Sequence, residues 1–581
     1  MPGRLVLDRA VRETRTASRH DRSPGQYGDV MVRTDVLIVG AGPAGLVLAA
    51  VLADHGVDCR IVDRKAGPVA ESRAAIVHVR TLELLHRLGL ADRAVARGVQ
   101  TTHVEIYQRG RPAAAFPLAG QGVEALTPFP YALGLEQDRT EQLLVEWLSE
   151  RGRRVDWDTE LVTLTGGPDG PRAVVHRTGG APETISARWV VGADGARTPV
   201  RHALGIRFAG STYGQTGLLA DVDVDLPAGA GLCAGTLRLN LTRGGFVGIF
   251  RLAGGRYRLF GAVPPHLTAP MTGDDVSHEA YAAVPLADIQ RWFDEYFAVD
   301  ASLTGAAWTA LFRIHSRIAD RFRKGDVFLV GDAAHIHSPA GGQGMNLAIG
   351  DAFNLGWKLA LVANGQAHDR LLDSYQAERR PVAMTVLHGA DRGFALETMR
   401  NPIATWVRSH IATRLVGPLT RLSVVRAGIF RLFSQTWISY RHSPAIADAP
   451  RSNRGPRPGD RAPYGRSERT EDGAPGSLFD VIGGTGHHVL LFEGAEPDPA
   501  TLGRRRAVDD LLGQYLIDVA VHVVAAGERA LHSRYGARTP RLFLIRPDGH
   551  VAYAGSPDDL SRLAAFLDPL YVRHTTSGRR V

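Results

Sequence analysis

Short apolar runs that end in glycine or aspartate mark the beginning of the patterned part of this chain. Residues 34–40, TDVLIVG, are rich in β-branched side chains, which is typical of a buried parallel strand. The alanine- and leucine-rich segment from Pro43 to Gly56 predicts a helix, and residues 58–63, DCRIVD, predict the next strand. Together these segments predict a βαβ unit.

Downstream, helical and strand-like periodicities alternate. Apolar positions at helical spacing predict further helices over residues 74–88, 140–151 and 344–363. Alternating apolar positions predict antiparallel strands over residues 218–226, 246–252 and 257–263. Residues 326–335, DVFLVGDAAH, predict a buried strand that runs into a turn. We expect the antiparallel strands to form a sheet that covers a pocket.

The C-terminal third changes character twice. Arginines at near-helical intervals interrupt the apolar region 403–433, which predicts amphipathic helices packed on the body, with attachment to a membrane surface as the minor alternative. Residues 450–472 are rich in Arg, Pro, Gly and Ser, which predicts a linker. Beyond it, strand-like segments at 487–494, 518–527 and 540–555, with a turn at 547–549, predict a separate domain.

Bulk properties narrow the class of protein. The 581 residues suggest two to four domains, and 44% hydrophobic with 22% charged residues is typical of a globular chain. The formal charge of +8 is spread among interleaved acids and bases, so we predict a solvated arginine-rich surface and no nucleic-acid partner. The two cysteines, Cys59 and Cys233, suggest neither a disulfide framework nor a zinc site, which favours the cytoplasm. No apolar run reaches about 18 residues, so no membrane span is predicted.

A glycine motif follows the first strand. Gly40-Ala41-Gly42-Pro43-Ala44-Gly45 is a G-x-G-x-x-G between a predicted strand and a predicted helix, the context of a dinucleotide-binding turn. The first glycine makes the turn, the second lets the backbone approach a pyrophosphate, and the third allows close helix–strand packing. Asp63 ends the next strand, where its carboxylate is placed to accept hydrogen bonds from a ribose. The motif alone leaves FAD and NAD open, while the acidic Asp63 disfavours NADP at this site.

Two later motifs carry a resemblance. Residues 189–201, WVVGADGARTPVR, and residues 325–360, which begin GDVFLVGDAAHIHSPAGGQGMNLAIGD, resemble the DG and GD signatures of the class A FAD-dependent aromatic monooxygenases, the para-hydroxybenzoate hydroxylase group. The resemblance covers roughly residues 34–400. The segment from about Pro456 resembles the thioredoxin-like domain of the aromatic-polyketide hydroxylases and of rifampicin monooxygenase, and its lack of a Cys-x-x-Cys predicts that it has no redox activity.

The resemblance implies an α/β fold with a Rossmann-like FAD-binding domain, an inserted antiparallel-sheet substrate domain, a helical segment and a C-terminal thioredoxin-like domain. The predicted divisions are a disordered tail at 1–33, FAD-binding parts at 34–103, 137–206 and 316–400, substrate-domain parts at 104–136 and 207–315, a helical segment at 401–449, a linker at 450–472 and the thioredoxin-like domain at 473–581. Met31 offers an alternative start, so the sequence leaves open whether residues 1–30 are translated.

The GD segment has a physical interpretation of its own. Asp332 lies where a strand ends, so its carboxylate is placed to bind a hydroxyl of the ribityl chain. Gly341, Gly342 and Gly344 let backbone come close to a flat ring, and the helix that begins there directs its positive end at the ring. Reduced flavin is negative near N1, so this helix end should stabilise it.

The resemblance assigns further residues to the site. The backbones of Met345 and Asn346 contact the pyrimidine edge of the flavin, and the carbonyl of Pro339 faces the oxygen adduct, although Ser338 replaces the more usual proline before it. Asp194 and Gly195 serve FAD and a transient nicotinamide, and Arg73 and Gln137 contact the dinucleotide, an arginine being suited to pyrophosphate oxygens. The predicted catalytic residues are Pro339, Gly342 and Asn346. The predicted cofactor-binding residues are Gly40, Gly42, Pro43, Ala44, Gly45, Asp63, Arg64, Arg73, Gln137, Asp194, Asp332, Gly344, Met345 and Asn346.

His335 and His337 are interpreted as turn or packing residues, because no metal-ligand spacing accompanies them.

These assignments predict an enzyme. FAD is reduced by NADPH or NADH, O2 adds at C4a to give a hydroperoxide, and a phenolic or polycyclic aromatic substrate is hydroxylated. Alternatives are Baeyer–Villiger oxygenation by the same flavin chemistry and a non-catalytic flavin-binding protein, while a flavin halogenase is disfavoured because no Trp-x-Trp-x-Ile-Pro segment occurs. Tyr213, Phe246 and Phe250 are candidate substrate contacts, and more simply strand-packing residues. We expect a cytoplasmic monomer or homodimer that binds a small aromatic molecule, with no metal.

Overall fold

The fold is taken from a computed structural model of the chain. It describes residues 31–69, 72–108, 111–118, 122–167, 170–226, 232–242, 245–263, 284–297, 299–337, 342–398, 422–448, 455–467 and 476–574.

Twenty-five strands lie in the described residues. They are β1 (Met31–Val39), β2 (Cys59–Val62), β3 (Ile76–Val77), β4 (Val99–Thr101), β5 (His103–Gln108), β6 (Arg111–Pro117), β7 (Ala132–Gly134), β8 (Val155–Asp156), β9 (Thr159–Gly167), β10 (Gly170–Arg177), β11 (Pro182–Gly192), β12 (Phe208–Asp225), β13 (Thr236–Thr242), β14 (Gly245–Arg251), β15 (Tyr257–Ala262), β16 (Ser302–Ala319), β17 (Arg323–Lys324), β18 (Val327–Leu329), β19 (His335–Ile336), β20 (Arg466–Ser467), β21 (Gly476–Ser477), β22 (His487–Phe492), β23 (Val519–Val524), β24 (Arg541–Ile545) and β25 (Val551–Gly555).

Thirteen α-helices accompany them in the same residues. They are α1 (Pro43–Asp54), α2 (Val79–Arg87), α3 (Ala91–Arg97), α4 (Gln137–Glu150), α5 (Pro199–Ala203), α6 (Leu286–Phe297), α7 (Gly344–Ala363), α8 (Arg370–Thr398), α9 (Ser423–Ser434), α10 (Leu478–Val481), α11 (Thr501–Leu512), α12 (Arg529–Tyr535) and α13 (Leu560–Leu567), with a 3-10 turn at Gly331–Ala333.

The first sheet has five parallel strands in the order β18-β11-β1-β2-β8. Strand β17 closes one edge, and the β9–β10 hairpin extends the sheet from the first half of β11. The parallel strands are apolar on both faces because helices cover them, which is why the sequence shows continuous apolar runs rather than alternation. Helix α7 has almost no exposed side and packs on α1, where a side chain at Gly356 would be 2.9 Å from Val51.

A second, eight-stranded sheet runs in the order β19-β16-β12-β15-β14-β13-β5-β6. Its neighbours are antiparallel except for β5 and β13, which pair in parallel. Helix α6 supplies Trp292 and Phe293 to a separate core on one face of this sheet. The other face is available to a cavity, as the alternating sequence pattern predicted.

The C-terminal unit is a four-stranded sheet in the order β23-β22-β24-β25, with β22 and β23 parallel and the other pairs antiparallel. Its first pair is joined through α11, and its last pair through the predicted turn at 547–549. This is the thioredoxin-like arrangement expected from the sequence. Its apolar residues form one core of their own and also join the core of the first sheet.

Two predicted segments near the N-terminus need correction. Strand β1 begins at Met31, which pairs with Thr184, rather than at 34, so the end of the predicted tail is part of the sheet. Residues 74–88 are not one helix, because Ile76 and Val77 pair with β7 and the helix starts only at Val79. Residues 1–30 lie outside the described part of the chain.

Residues 455–467, within the predicted linker, are a packed segment. The amide of Gly459 donates to the carbonyl of Val551 at 2.7 Å, and Ala462 donates to Gly549 at 2.9 Å. Arg461 forms an ion pair with the fully buried Glu83 of α2. Composition suggested a free spacer, but hydrogen bonds to both sides fix this stretch between the first sheet and the C-terminal unit.

A cluster of buried charges joins the C-terminal unit to α7 and α8. The guanidinium of Arg546 donates to both carboxylate oxygens of Glu378, at 2.7 and 2.8 Å, and also binds Asp548. Lys358 Nζ donates to Glu378 at 2.8 Å. Burial alone would raise the pKa of Glu378, but Arg546 and Lys358 hold it at about 2. The cluster is therefore ionised and mutually compensated.

Replacing Arg546 with Met should destabilise the protein by about 3–5 kcal/mol, because two buried carboxylates would lose their main partner. The free energy of unfolding from a urea titration measures this. Arg207→Met is the control: its ion pair with Asp320 is exposed, so that variant should unfold like the wild type. Equal, small effects of the two substitutions would contradict the role assigned to Arg546.

Candidate active site

Three turns meet at one edge of the first sheet. Strands β1, β11 and β18 are neighbours and end at Val39, Gly192 and Leu329. Backbone hydrogen bonds continue past the strand ends, from Ala193 N to Val39 O at 2.7 Å and from Val330 N to Gly192 O at 3.0 Å. The glycine motif and the two later motifs predicted from the sequence are therefore side by side.

The three glycines of the first turn differ in the space around them. Gly40 has φ +107°, and a Cβ there would be 2.4 Å from the carbonyl oxygen of Ala193. A Cβ at Gly45 would be 1.9 Å from the carbonyl oxygen of Gly40, so the turn and α1 are in direct backbone contact. At Gly42 a Cβ would meet no protein atom within 4 Å and would point into open space at the cavity wall.

Helix α1 begins at this turn without a side-chain cap. Its first N–H groups are therefore free to bind an anion, and the helix dipole favours a negative charge there. Pro43 and Ala44 line the cavity beside Gly42.

Asp63 stabilises the glycine turn by accepting hydrogen bonds from backbone amides. Its carboxylate accepts hydrogen bonds from the backbone amides of Ala41 at 2.6 Å and Lys65 at 2.8 Å. Asp63 and Arg64 both line the cavity. The ribose contact expected of Asp63 stays a prediction, but its position at the end of β2 beside the glycine turn is the predicted one.

Arg73 and Gln137 also line the cavity, at the segment 72–75. The backbone amide of Gln137 donates to the hydroxyl of Ser72 and the carbonyl of Ala74, both at 2.8 Å. Its side-chain amide donates to Glu141 at 2.9 Å. Gln137 therefore holds the segment 72–75, and with it Arg73, in place. This role does not depend on whether Gln137 itself contacts a cofactor.

An arginine of the second sheet holds the same segment, and sequence reasoning missed it. Arg258 of β15 donates to the carbonyls of Arg73 at 3.1 Å and Ser72 at 2.8 Å, and forms a two-pronged ion pair with Asp221 of β12. Arg258 is 2% exposed. This guanidinium fastens the second sheet to the Arg73 segment, and nothing in the local sequence pattern indicated it.

Asp194, in the second turn, is an unusual carboxylate. Both its oxygens are buried, and no described residue makes a well-formed hydrogen bond to them. Burial raises the pKa of Asp194 to about 7, which Thr198 and nearby backbone groups only partly oppose. Gly195 beside it has φ +82° and open space where a side chain would project.

Asp332, in the third turn, is exposed to the cavity that it lines. Desolvation by the surrounding protein raises its pKa, while the charges of His335 and Arg73 lower it. A carboxyl group in this position can exchange a hydrogen bond with a hydroxyl that enters the cavity.

The third motif continues into the first turn of α7. Gly342, with φ +62°, and Gly344 and Met345 line the cavity. The side chain of Asn346 is occupied by protein: its oxygen accepts from His78 N and Thr81 Oγ1, both at 2.7 Å, and its nitrogen donates to Ile76 O and Gly342 O at 2.9 Å. Its side chain is therefore not available to a ligand, and the contact expected of its backbone with a flavin stays a prediction. Pro339, Gly341 and Ser338 lie outside the described residues.

The two histidines of this motif differ. His335 is 1% exposed, stacks on Phe322 and contacts Asp351, which agrees with the predicted packing role. His337 lines the cavity. Among the described residues, no group of histidine, cysteine or acidic side chains could hold a metal ion.

The turns open into one cavity of about 2030 Å³. Ordinary small-molecule sites are about 300–1,000 Å³, so there is room for a dinucleotide and a second ring system. A largely apolar wall of this cavity comes from the second sheet, α8, α9 and neighbouring segments. Its aromatic residues are Phe116, Tyr131, Phe246, Phe250, Phe260, Phe312, Phe430, Phe433 and Trp437.

Of the three candidate substrate contacts, Phe246 and Phe250 are in this wall, and Tyr213 is not among its lining residues. The contributions of Thr385 and His388 on α8 and of Trp437 after α9 were not predicted. Trp437 belongs to the predicted helical segment 401–449, to which no site residue was assigned. Residues 401–421 of that segment lie outside the described residues.

The residues present fit FAD. The open space at Gly42, the uncapped start of α1 and the cavity-facing Asp332 match the pyrophosphate and the polyol chain of that molecule, and the glycine-lined start of α7 matches a flat ring. These features define the class of protein as a flavin-dependent oxidoreductase of the dinucleotide-binding fold.

Comparison with known proteins identifies the family. The chain belongs to the family described as FAD binding domain, which matches residues 33–390. It is 33% identical to 6-methylpretetramide 4-monooxygenase of Streptomyces rimosus, over 92% of this chain and 93% of that relative. It is 30% identical to rifampicin monooxygenase of Rhodococcus hoagii, over 90% of this chain and 95% of that protein.

A solved structure agrees. The flavin-dependent monooxygenase PieE, determined with FAD and substrate, superposes with a TM-score of 0.72 at 25% identity, covering 93% of this chain and 99% of that one. The predicted membership of the FAD-dependent monooxygenases, the fold and the cofactor are thereby confirmed. The individual residue roles and the domain divisions stay predictions. The described residues contain no helix of the length and apolarity that crossing a bilayer requires.

Replacing Arg258 with Lys should weaken FAD binding on the order of ten-fold, because lysine keeps the charge but loses the fork that holds Arg73 and Ser72. Titration of the apoprotein with FAD, followed by flavin fluorescence, measures the dissociation constant. Arg238→Lys is the matched control, since Arg238 is a buried arginine of the same sheet, paired with Glu105, that does not line the cavity. An unchanged dissociation constant for Arg258→Lys would exclude the clamp.

Replacing Asp194 with Asn should remove one contribution that lowers the stability of the apoprotein as the pH rises from about 4 to 7, so the variant should gain stability relative to the wild type over that range. In that range the unfolded state has lost the Asp194 proton while the folded state, with its pKa of about 7, still binds it. Because the folded state binds more protons, this group makes stability fall as pH rises. Melting temperatures across the range measure the difference, and parallel profiles for wild type and Asp194→Asn would contradict it.

Proposed function

We propose that this enzyme hydroxylates a phenolic or polycyclic aromatic small molecule of polyketide type, with NADPH or NADH as reductant and O2 as oxidant. The balanced reaction consumes substrate, O2, NAD(P)H and a proton, and forms hydroxylated substrate, NAD(P)+ and water. One observation carries the proposal: the cavity that begins at the three turns continues without a break to a wall of aromatic side chains. A flat, apolar ring is the complement of that wall.

When bound, FAD supplies the redox chemistry, taking a hydride from the nicotinamide and delivering activated oxygen. The protein binds and orients it. We assign the pyrophosphate to the backbone amides of Gly42 and Ala44, on either side of Pro43, and to Arg73. The ribose is assigned to Asp63 with Arg64 beside it, and the polyol chain to Asp332. Gln137 and Asp194 complete this polar wall, and Gly45 keeps α1 against the turn.

The start of α7 forms the wall next to the ring. The backbones of Gly342, Gly344, Met345 and Asn346 are assigned to this wall. The role of Pro339 stays the expectation that the resemblance gives. Unsatisfied N–H groups at a helix N-terminus stabilise negative charge, which the reduced ring carries. The apolar residues opposite exclude water and hold the substrate ring at a fixed distance, which favours transfer of oxygen over its loss.

The proposal also places the enzyme in the cytoplasm, as a monomer or homodimer without a nucleic-acid partner. Supporting it, Cys59 and Cys233 are both free thiols. Many surface arginines are paired with acids, such as Arg207 with Asp320 and Arg441 with Asp460. Such pairing leaves little continuous positive field for a polyanion.

The test begins with the purified full-length protein and FAD. The expected result is a yellow protein that oxidises NADPH or NADH faster when a phenol or polycyclic quinone from a panel is added, with O2 consumption and one added hydroxyl in the product by NMR. A protein that stays colourless after incubation with FAD, or a yellow protein inert to both nicotinamides, would refute the proposal.

A matched pair of glycine variants locates the cofactor. In Gly42→Val the new side chain meets no protein atom but enters the space assigned to the pyrophosphate, so the variant should fold and remain colourless. Gly503→Val, on the exposed face of α11, also meets no protein atom and should stay yellow.

A further inference from the structure

Asp351 is a fully buried carboxylate in the middle of α7 that the proposed chemistry does not use. It accepts hydrogen bonds from three elements: Gly331 N at 3.1 Å, His335 Nε2 at 2.7 Å and Arg379 Nε at 2.6 Å. Arg379 and His335 hold its pKa below the usual value, although burial alone would raise it. Asp351 is therefore an anion with all its partners inside the protein.

Two of those partners flank Asp332. Gly331 precedes it in the 3-10 turn, and His335 follows directly after the turn. Gly331 has φ +59°, and a Cβ there would be 2.8 Å from Cβ of Ala348, one helical turn before Asp351. The turn that carries Asp332 is thus fixed to α7 both by backbone packing and by the Asp351 carboxylate.

The third partner fixes Asp351 from the other side. Arg379 of α8 is 2% exposed, and its remaining nitrogens donate to Tyr440 Oη at 2.9 Å and to Leu347 O at 3.1 Å. A Cβ at Gly350 would be 2.9 Å from the Arg379 guanidinium, so the glycine before Asp351 makes room for it. Arg379 leaves the carboxylate one orientation.

We propose that Asp351 is a positioning residue that sets Asp332 relative to the start of α7, and thereby aligns the two parts of the site assigned to the polyol chain and the ring. The inference rests on the proposed function, because it concerns where FAD binds. A role in stability alone is the competing explanation. Asp548 is the control that distinguishes positioning from stability alone. Its carboxylate is also buried and forms an ion pair with Arg546, but it makes no contact with the turn that carries Asp332.

The experiment compares full-length Asp351→Asn and Asp548→Asn with the wild type. We expect Asp351→Asn, which loses the charge that orders Gly331, His335 and Arg379, to raise the FAD dissociation constant on the order of ten-fold or more. Its bound flavin should also show a changed visible circular dichroism spectrum. Asp548→Asn should lower the melting temperature of the apoprotein while the dissociation constant and the spectrum stay those of the wild type.

If both variants weaken FAD binding in proportion to their loss of melting temperature, with an unaltered spectrum, Asp351 is merely structural and the inference is wrong. If the wild type itself binds no FAD, the proposed function fails instead. Should Asp351→Asn not fold, His335→Ala and His335→Gln replace it. The alanine variant should show the same changes to a smaller degree, and glutamine, which keeps a donor, should restore the wild-type values; identical values for alanine and wild type would overturn the inference.

Discussion

The backbone ladder that continues beyond the ends of three parallel strands holds the site together. Ala193 is its centre: its amide binds the carbonyl of Val39, and the Cα of Gly40 lies against the Ala193 and Asp194 backbone with no room for a side chain. Val330 joins the same ladder through Gly192. Since each turn is held by the next, none of the three can shift alone. The edge of the sheet therefore fixes where the polar wall lies. This explains why motifs about 150 residues apart in the sequence can bind one ligand.

The opposite wall is built by different physics. The second sheet contributes apolar and aromatic side chains, whose burial is favourable but non-directional and so does not by itself fix one position of the wall. Arg258 removes that freedom. Its buried guanidinium pairs with Asp221 and also binds the carbonyls of Ser72 and Arg73, and only one position satisfies all of these partners. The distance between the polar and apolar walls is thus set by a charge rather than by packing. In an enzyme that must present a flat substrate to a flat cofactor, that distance determines the orientation of one ring to the other.

What the sequence could predict follows from the range of the interactions. Gly40, Gly45 and Gly342 were identifiable because backbone sterics act over a few residues, and their turn conformations leave a local pattern. The order of the motifs and a recognised family supplied the rest of the polar wall. By contrast, Arg258 and Asp351 depend on partners 185 and 28 residues away, and an isolated arginine or aspartate in a strand or helix has no local signature. Residues 76–77 were assigned to a helix for a related reason: their pairing with β7 is a tertiary contact that overrides the local periodicity. The interpretation of residues 450–472 as a linker missed the packed segment 455–467 for the same reason. Composition cannot reveal that Gly459 and Ala462 bind β25 and the turn before it.

The C-terminal unit raises the question of what its attachment accomplishes. It lacks the paired cysteines of a redox domain, yet its Arg546, which also pairs with Asp548, binds the buried Glu378 of α8. Burying ionised groups costs desolvation energy that their attraction only partly returns, so an apolar interface would hold the unit at least as firmly. An ionic interface differs in being directional, because deeply buried charges are stable only in the arrangement in which each one meets its partner. Glu378 is adjacent to Arg379, the residue that orients Asp351, and Tyr440 contacts both Arg379 and the ring of His550. The ionic contacts therefore fix the orientation of the C-terminal unit relative to α8.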